Sequence, residues 1–168
     1  MNYRIRYVVN GFDCESDVKA NETLMDLLRN QMGLTGVKKG CDGGECGACV
    51  VLLNGRPVNS CLILAVELNG DVVTTIEGLD DDDSRLIQEA FVDAGAVQCG
   101  FCSPGMIVAT KGLLDENATP TEEDINQAMV GHLCRCTGYS RTITAVQDAA
   151  VRLKTRRQLQ NNQLEEEG

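Results

Sequence analysis

The chain has 168 residues, room for one ordinary domain or two small ones. Aromatics make up only 4% and there is no Trp, too little to line a large cofactor pocket. A formal net charge of −10 lacks the basic footprint of a nucleic-acid binder.

No apolar run reaches the roughly 18 residues of a membrane-spanning helix. The opening stretch lacks the apolar core of a signal peptide. The expected compartment is therefore the cytoplasm. Thiols stay reduced there, so nine cysteines are a poor disulfide framework, and the odd count fits full pairing badly. Metal binding is the better default. The 17 glycines cluster around the cysteines, as they would where backbone wraps closely around something compact.

Residues 3–9 alternate and are rich in β-branched side chains, a strand pattern. Asn10-Gly11 is a two-residue hairpin signal, and residues 12–18 form the returning strand. Leu24, Leu27, Leu28 and Met32 recur at helical spacing over 23–32, with Asn21 or Thr23 as the cap. A Gly- and Cys-rich loop follows over 40–49. Residues 50–53, Asn54-Gly55 and residues 56–60 read as a second hairpin, and 72–76 as one more strand. This outline is a small α+β domain with a helix packed on a sheet.

Residues 77–84 are polar and acidic, and mark a boundary after which the hydrophobic period becomes helical. Leu86, Ile87, Ala90, Phe91 and Ala94 form one stripe. Met106, Ile107, Thr110, Leu113 and Leu114 form a second. Residues 121–130 open on Thr-Glu-Glu-Asp, close to a capping box, and 140–153 carry a fourth stripe through Ile143, Val146, Ala149, Ala150 and Leu153. Four short helices imply a small bundle. The expected domains are 1–78, 79–155 and a polar, disordered tail over 156–168. The acidic runs 80–83 and 165–167 read as solvated segments.

Cys41, Cys46, Cys49 and Cys61 have the spacing C-x4-C-x2-C-x11-C. The opening C-x4-C-x2-C is the plant-type ferredoxin ligand run. Three thiolates must converge on a small cluster from one tight loop. Gly40, Gly43, Gly44 and Gly47 relieve crowding there and leave backbone N–H groups free to face the sulfurs. Zinc is the poorer match, because structural zinc sites favour paired ligands. The fourth cysteine departs from plant ferredoxins, which place it much further on. The second set is Cys99 and Cys102 (C-x2-C) with Cys134 and Cys136 (C-x-C). Each pair precedes an expected helix start, at Ser103-Pro104 and at Ser140. Helix N-termini carry partial positive charge and lower thiol pKa values. This set fits a 2Fe–2S cluster and also a four-cysteine zinc site.

Taken together, the stretches CDGGECGAC (41–49), QCGFCSPG (98–105) and HLCRCTGY (132–139) resemble the iron–sulfur subunit of the xanthine oxidase family of molybdenum hydroxylases. The resemblance spans residues 3–153. It implies an N-terminal ferredoxin-like β-grasp domain followed by a four-helix domain, each holding one 2Fe–2S cluster. It implies that Cys41, Cys46, Cys49 and Cys61 ligate the first cluster and Cys99, Cys102, Cys134 and Cys136 the second. Gln98 would hydrogen-bond the pterin, and Cys136 would both ligate iron and approach the pterin. Molybdopterin, in simple or dinucleotide form, and FAD would sit in partner subunits: a large molybdenum-binding chain and an FAD-binding chain, arranged as a dimer of heterotrimers.

The implied function is electron transfer from the molybdenum site through both clusters toward FAD. A free-standing two-cluster ferredoxin and a zinc-binding interaction module are the competing functions. His132, the only histidine, reads as a packing or surface residue, since Rieske ligation needs two. Cys14 reads as a small buried apolar residue. Arg135 is either exposed or a charge beside the cluster, and Glu45 is not expected to ligate.

Overall fold

The computed structural model describes residues 2–166. β1 (Asn2–Val9) and β2 (Phe12–Lys19) pair antiparallel, with Val9 opposite Phe12. Asn10 and Gly11 turn the chain at φ 52° and 83°, the doubly left-handed turn that suits strand twist. Alternation along β1 buries Ile5, Tyr7 and Val9, with Arg6 exposed and Val8 half-buried between them.

Thr23 caps α1 (Leu24–Asp26), its Oγ1 accepting from Asp26 N at 3.1 Å. The sequence suggests one regular helix to residue 32. Instead α1 widens into a π-helical turn over Leu27–Gln31, closed by Met32 N donating to Leu27 O. Leu24, Met25, Leu27 and Leu28 are all buried by this short element.

β3 (Val50–Leu53) and β4 (Arg56–Asn59) form the second hairpin, and β5 (Val72–Thr74) the last strand. The five strands are ordered β2-β1-β5-β3-β4, with β1 and β5 parallel and the other pairs antiparallel. β5 stops two residues earlier than its pattern suggests, because Ile76–Gly78 closes into a 3-10 turn.

Beyond it lie α2 (Asp82–Asp93), α3 (Ser103–Glu116), α4 (Glu122–Met129) and α5 (Ser140–Glu166). Thr121 and Asp124 complete the expected capping box of α4. Two expectations fail here. The tail from 156 is not disordered: α5 runs on to Glu166. The run 80–83 is not merely solvated: Asp81 caps α2 through Ser84 N at 3.0 Å. Arg157 meets Asp83 at 3.2 Å, Arg152 meets Asp93 at 2.7 Å, and Arg156 pairs with Asp82 and Asp83. The added α5 turns answer the acidic start of α2 with positive charge. The second acidic run, 165–167, lies outside the described side chains.

β3 joins the halves. Val51 enters the ferredoxin-side core, while Val50 and Leu52 enter the helical core. α3 lies on that face, where Gly112 passes so close to Pro57 that any Cβ would overlap its ring. Among the described residues no helix is long and apolar enough to cross a membrane.

Candidate iron–sulfur site

Cys41, Cys46 and Cys49 come from the loop between α1 and β3, and Cys61 from the 3-10 turn Ser60–Leu62 that follows β4. The β3–β4 hairpin brings the fourth cysteine back. Val50 pairs with Asn59, and Ser60 donates to Cys49 O through its Oγ at 2.7 Å. Cys61 is thereby returned beside Cys49 after only eleven residues. This explains the short spacing: a tight hairpin replaces the longer connection of plant ferredoxins.

Cys41 Sγ accepts from Gly43 N at 3.4 Å and Glu45 N at 3.3 Å. Those two N–H groups, with the Cys46 thiol, pull its pKa down to about 7. Cys61 is pushed up to about 11, first by burial and then by the adjacent Cys49. Asn59 steadies the loop by donating to Gly44 O at 3.0 Å.

In the second set Cys99 and Cys136 have their sulfurs 3.7 Å apart. The Phe101 N–H lowers Cys99, while neighbouring Cys99 raises Cys136. Cys102 faces Cys134. Its partial burial works upward on Cys134, but Thr137, whose Oγ1 donates to Cys134 Sγ at 3.1 Å, brings the net shift down. Tyr139 OH accepts from Cys134 N at 3.0 Å. Gln98 is exposed, and its Nε2 donates to Cys136 O at 3.3 Å.

The helix ends act differently from expectation. Cys102 is itself the N-cap of α3, yet burial pushes it up to about 12, with Cys134 adding to the rise. Desolvation outweighs the helix N-terminus at a thiol with no counter-charge. A bound metal reverses that balance, since a coordinating thiol is deprotonated outright. On the other side α5 starts at Ser140, four positions after Cys136.

All eight cysteines of the two motifs converge, and they do so in twos. Cys41 sits with Cys46 and Cys49 with Cys61; Cys99 sits with Cys136 and Cys102 with Cys134. Two-and-two pairing suits a two-iron cluster with a pair of thiolates on each iron. In each set one pair faces inward and the other outward: Cys49, Cys61 and Cys102 are buried, whereas Cys41, Cys99 and Cys136 are exposed.

His132 is buried rather than superficial, and burial drops its pKa to about 4. Cys14 is half-buried, its thiol donating to Phe12 O at 3.4 Å. Arg135 and Glu45 are exposed. Asn59, Ser60, Thr137 and Tyr139 carry supporting roles that spacing did not single out. The one sequence cue was their position within or beside the cysteine motifs.

Residues 7–75 match the family described as a 2Fe-2S iron-sulfur cluster binding domain, and residues 75–147 the [2Fe-2S] binding domain. The nicotinate dehydrogenase small FeS subunit of Eubacterium barkeri is 52% identical over 145 residues, covering 86% of this chain and 92% of that one. The chain belongs to the iron–sulfur small subunits of the xanthine oxidase family of molybdenum hydroxylases. Its fold is the α+β pairing of a ferredoxin-like domain with a helical one.

As a family member it is a subunit of an oxidoreductase. The quinoline 2-oxidoreductase structure from Pseudomonas putida 86 includes a chain that aligns at a TM-score of 0.85 and 40% identity, over 93% of this chain and 97% of that one. The aldehyde oxidoreductase of Desulfovibrio gigas aligns at a TM-score of 0.86 and 43% identity over 92% of this chain, but that match fills only 17% of the longer chain.

Proposed function

We propose that this chain carries single electrons from a molybdopterin-bearing large subunit, through two 2Fe–2S clusters, to an FAD-bearing subunit. The observation that carries the reading is the pairing of Cys41 with Cys46, Cys49 with Cys61, Cys99 with Cys136 and Cys102 with Cys134 within one body whose cores share β3. Cys41, Cys46, Cys49 and Cys61 would hold the first cluster, and Cys99, Cys102, Cys134 and Cys136 the second. Bound clusters supply one-electron redox chemistry at these positions.

The chain's own residues set the conditions. Gly43 N and Glu45 N stabilise negative charge at Cys41, and Thr137 does so at Cys134. Gln98, exposed beside Cys136 and donating to its carbonyl, would contact the pterin of the large subunit. The exposed apolar side chains Phe101 and Leu133, within the second and third cysteine motifs, and Val97 and Val130, just before them, suit a subunit contact. A dimer of heterotrimers in the cytoplasm is the expected assembly. The relatives' names span nicotinate, quinoline and aldehydes on chains 40–52% identical to this one or to part of them. Substrate choice therefore belongs to the large subunit.

The test is metal content and low-temperature EPR of the reduced protein, purified with its partners. About four irons per chain, two distinct 2Fe–2S signals, and co-purifying molybdenum and flavin are expected. Zinc in the helical set, or a single iron signal, overturns the two-cluster reading. Two signals without molybdenum or flavin point instead to a free two-cluster ferredoxin.

A further inference from the structure

The buried hydroxyls of this chain have partners, with one exception. Ser60 donates to Cys49 O at 2.7 Å, Thr110 to Met106 O at 2.8 Å and Thr142 to Met106 Sδ at 3.9 Å. Ser84 bonds to Asp81, Thr75 to Glu77 and Thr137 to Cys134 Sγ. Ser103 is 6% exposed, and among the described residues its Oγ is the one buried side-chain nitrogen or oxygen without a hydrogen-bond partner. A hydroxyl taken from water and left unpaired is costly, so such a group calls for an acceptor.

Its position narrows what that acceptor is. Ser103 directly follows Cys102 and opens α3. A hydroxyl further along a helix can turn back to a carbonyl of the preceding turn, as those of Thr110, Thr144 and Thr155 do. Ser103 has no preceding helical turn. Residues 103, 106 and 110 share one face of α3, and Met106 and Thr110 are fully buried on it. Helical side chains lean toward the N-terminus, here the end that carries Cys99 and Cys102. The other half of the set repeats the pattern: Thr137 directly follows Cys136, and its hydroxyl is spent on a cysteine sulfur. No sulfur of the chain accepts from Ser103. The further acceptor that a 2Fe–2S cluster brings to these thiols is its inorganic sulfide.

We propose that the Ser103 hydroxyl donates to a bridging sulfide of the cluster held by Cys99, Cys102, Cys134 and Cys136, and so raises that cluster's reduction potential. This rests on the two-cluster reading above. One electron from the substrate-reduced molybdenum subunit of the proposed complex enters the cluster, which is reduced as the molybdenum site is oxidised. No bond breaks and no proton moves, so the cluster becomes more negative by the whole electron. A donor fixed at the sulfide stabilises that reduced state more than the oxidised one.

The test is an EPR-monitored redox titration of the full chain in its complex, carrying Ser103→Ala, which deletes the hydroxyl. The signal to follow is the one that Cys102→Ser removes. Its midpoint should move to lower potential, while the other signal keeps its midpoint and the iron content is unchanged. Pulsed proton ENDOR of the reduced wild type, in ordinary and then heavy water, should show an exchangeable proton coupled to that cluster and missing from Ser103→Ala. Ser103→Thr, which keeps a hydroxyl, should return the midpoint toward the wild-type value. If Ser103→Ala loses the signal, Ser103→Gly is read in the same way. An unmoved midpoint, an unchanged proton coupling, or a signal lost in both variants overturns the sulfide contact and leaves the hydroxyl to a trapped water or to packing. A wild-type protein lacking two signals would sink the two-cluster reading itself, whereas two signals with an unmoved midpoint sink only the contact.

Discussion

Cys41 and Cys102 mark the two extremes of the thiol environments. One is exposed and stabilised as a thiolate by two backbone N–H groups, while the other is buried and pushed up to about 12. In a chain stripped of iron, iodoacetamide should alkylate Cys41 first and Cys102 last near neutral pH, read by mass spectrometry, because the thiolate is the nucleophile. Uniform labelling would mean that the loop does not keep this geometry without its metal. In the loaded protein, Cys61→Ser should remove one EPR signal and about half of the four irons while leaving the other signal. Cys102→Ser should do the reverse. Loss of both signals from either change would contradict two separate ligand sets. The grouping of the cysteines into two sets of four was legible from spacing, while the choice of iron–sulfur over zinc for the second set came from the family resemblance. The division of the cysteines into twos was not legible, because it depends on the β3–β4 register and on the approach of two segments over thirty residues apart. The supporting hydroxyls were hidden for the same reason: Thr137 and Tyr139 look like ordinary turn residues until the chain folds back on Cys134.

The strands were the easier elements to foresee. Residues 3–9, 12–18 and 50–53 alternate or are β-rich, and each hairpin carries an Asn-Gly turn at positive φ. Two helical features escaped. The π-turn of α1 has no compositional signature, since Leu27 and Leu28 suit either helix type. The C-terminal part of α5 is polar all round and looked frayed. Its partners, Asp82 and Asp83, lie more than seventy positions away and become neighbours only when α2 and α5 pack. Ending the chain after Thr155 should therefore cost about 1 kcal/mol, read as a lower thermal midpoint, and the deficit should fade near 1 M salt. A deficit insensitive to salt would assign the effect to packing. At the other end of the same contact, Asp81→Ala should cost about 1 kcal/mol for the lost cap. Partial burial works against the Asp81 charge, but its hydrogen bonds to Ser84 hold the pKa below the usual carboxylate value. The charged cap is therefore present above the ordinary value and lost as pH falls through the lowered one, so the deficit should be full at neutral pH.

The change of hydrophobic period after residues 77–84 suggested two domains in series, and β3 gives one face to each of the two cores. The halves should unfold together. Thermal denaturation of the loaded chain is expected to show one transition, with loss of secondary structure and bleaching of visible absorbance coinciding. Gly112→Val, which drives a side chain into Pro57, should lower that transition by about 1–3 kcal/mol and keep the two readouts coincident. Separate transitions would mean that the shared strand does not couple the halves. The outward pair of each thiol set has a different consequence. With Cys41, Cys99 and Cys136 open to water, dioxygen and chelators would reach clusters bound at these thiols from both ends of the isolated subunit. Assembly into the proposed complex would then preserve as well as wire, and a newly loaded chain left unmated should bleach in air sooner than the same chain within its complex.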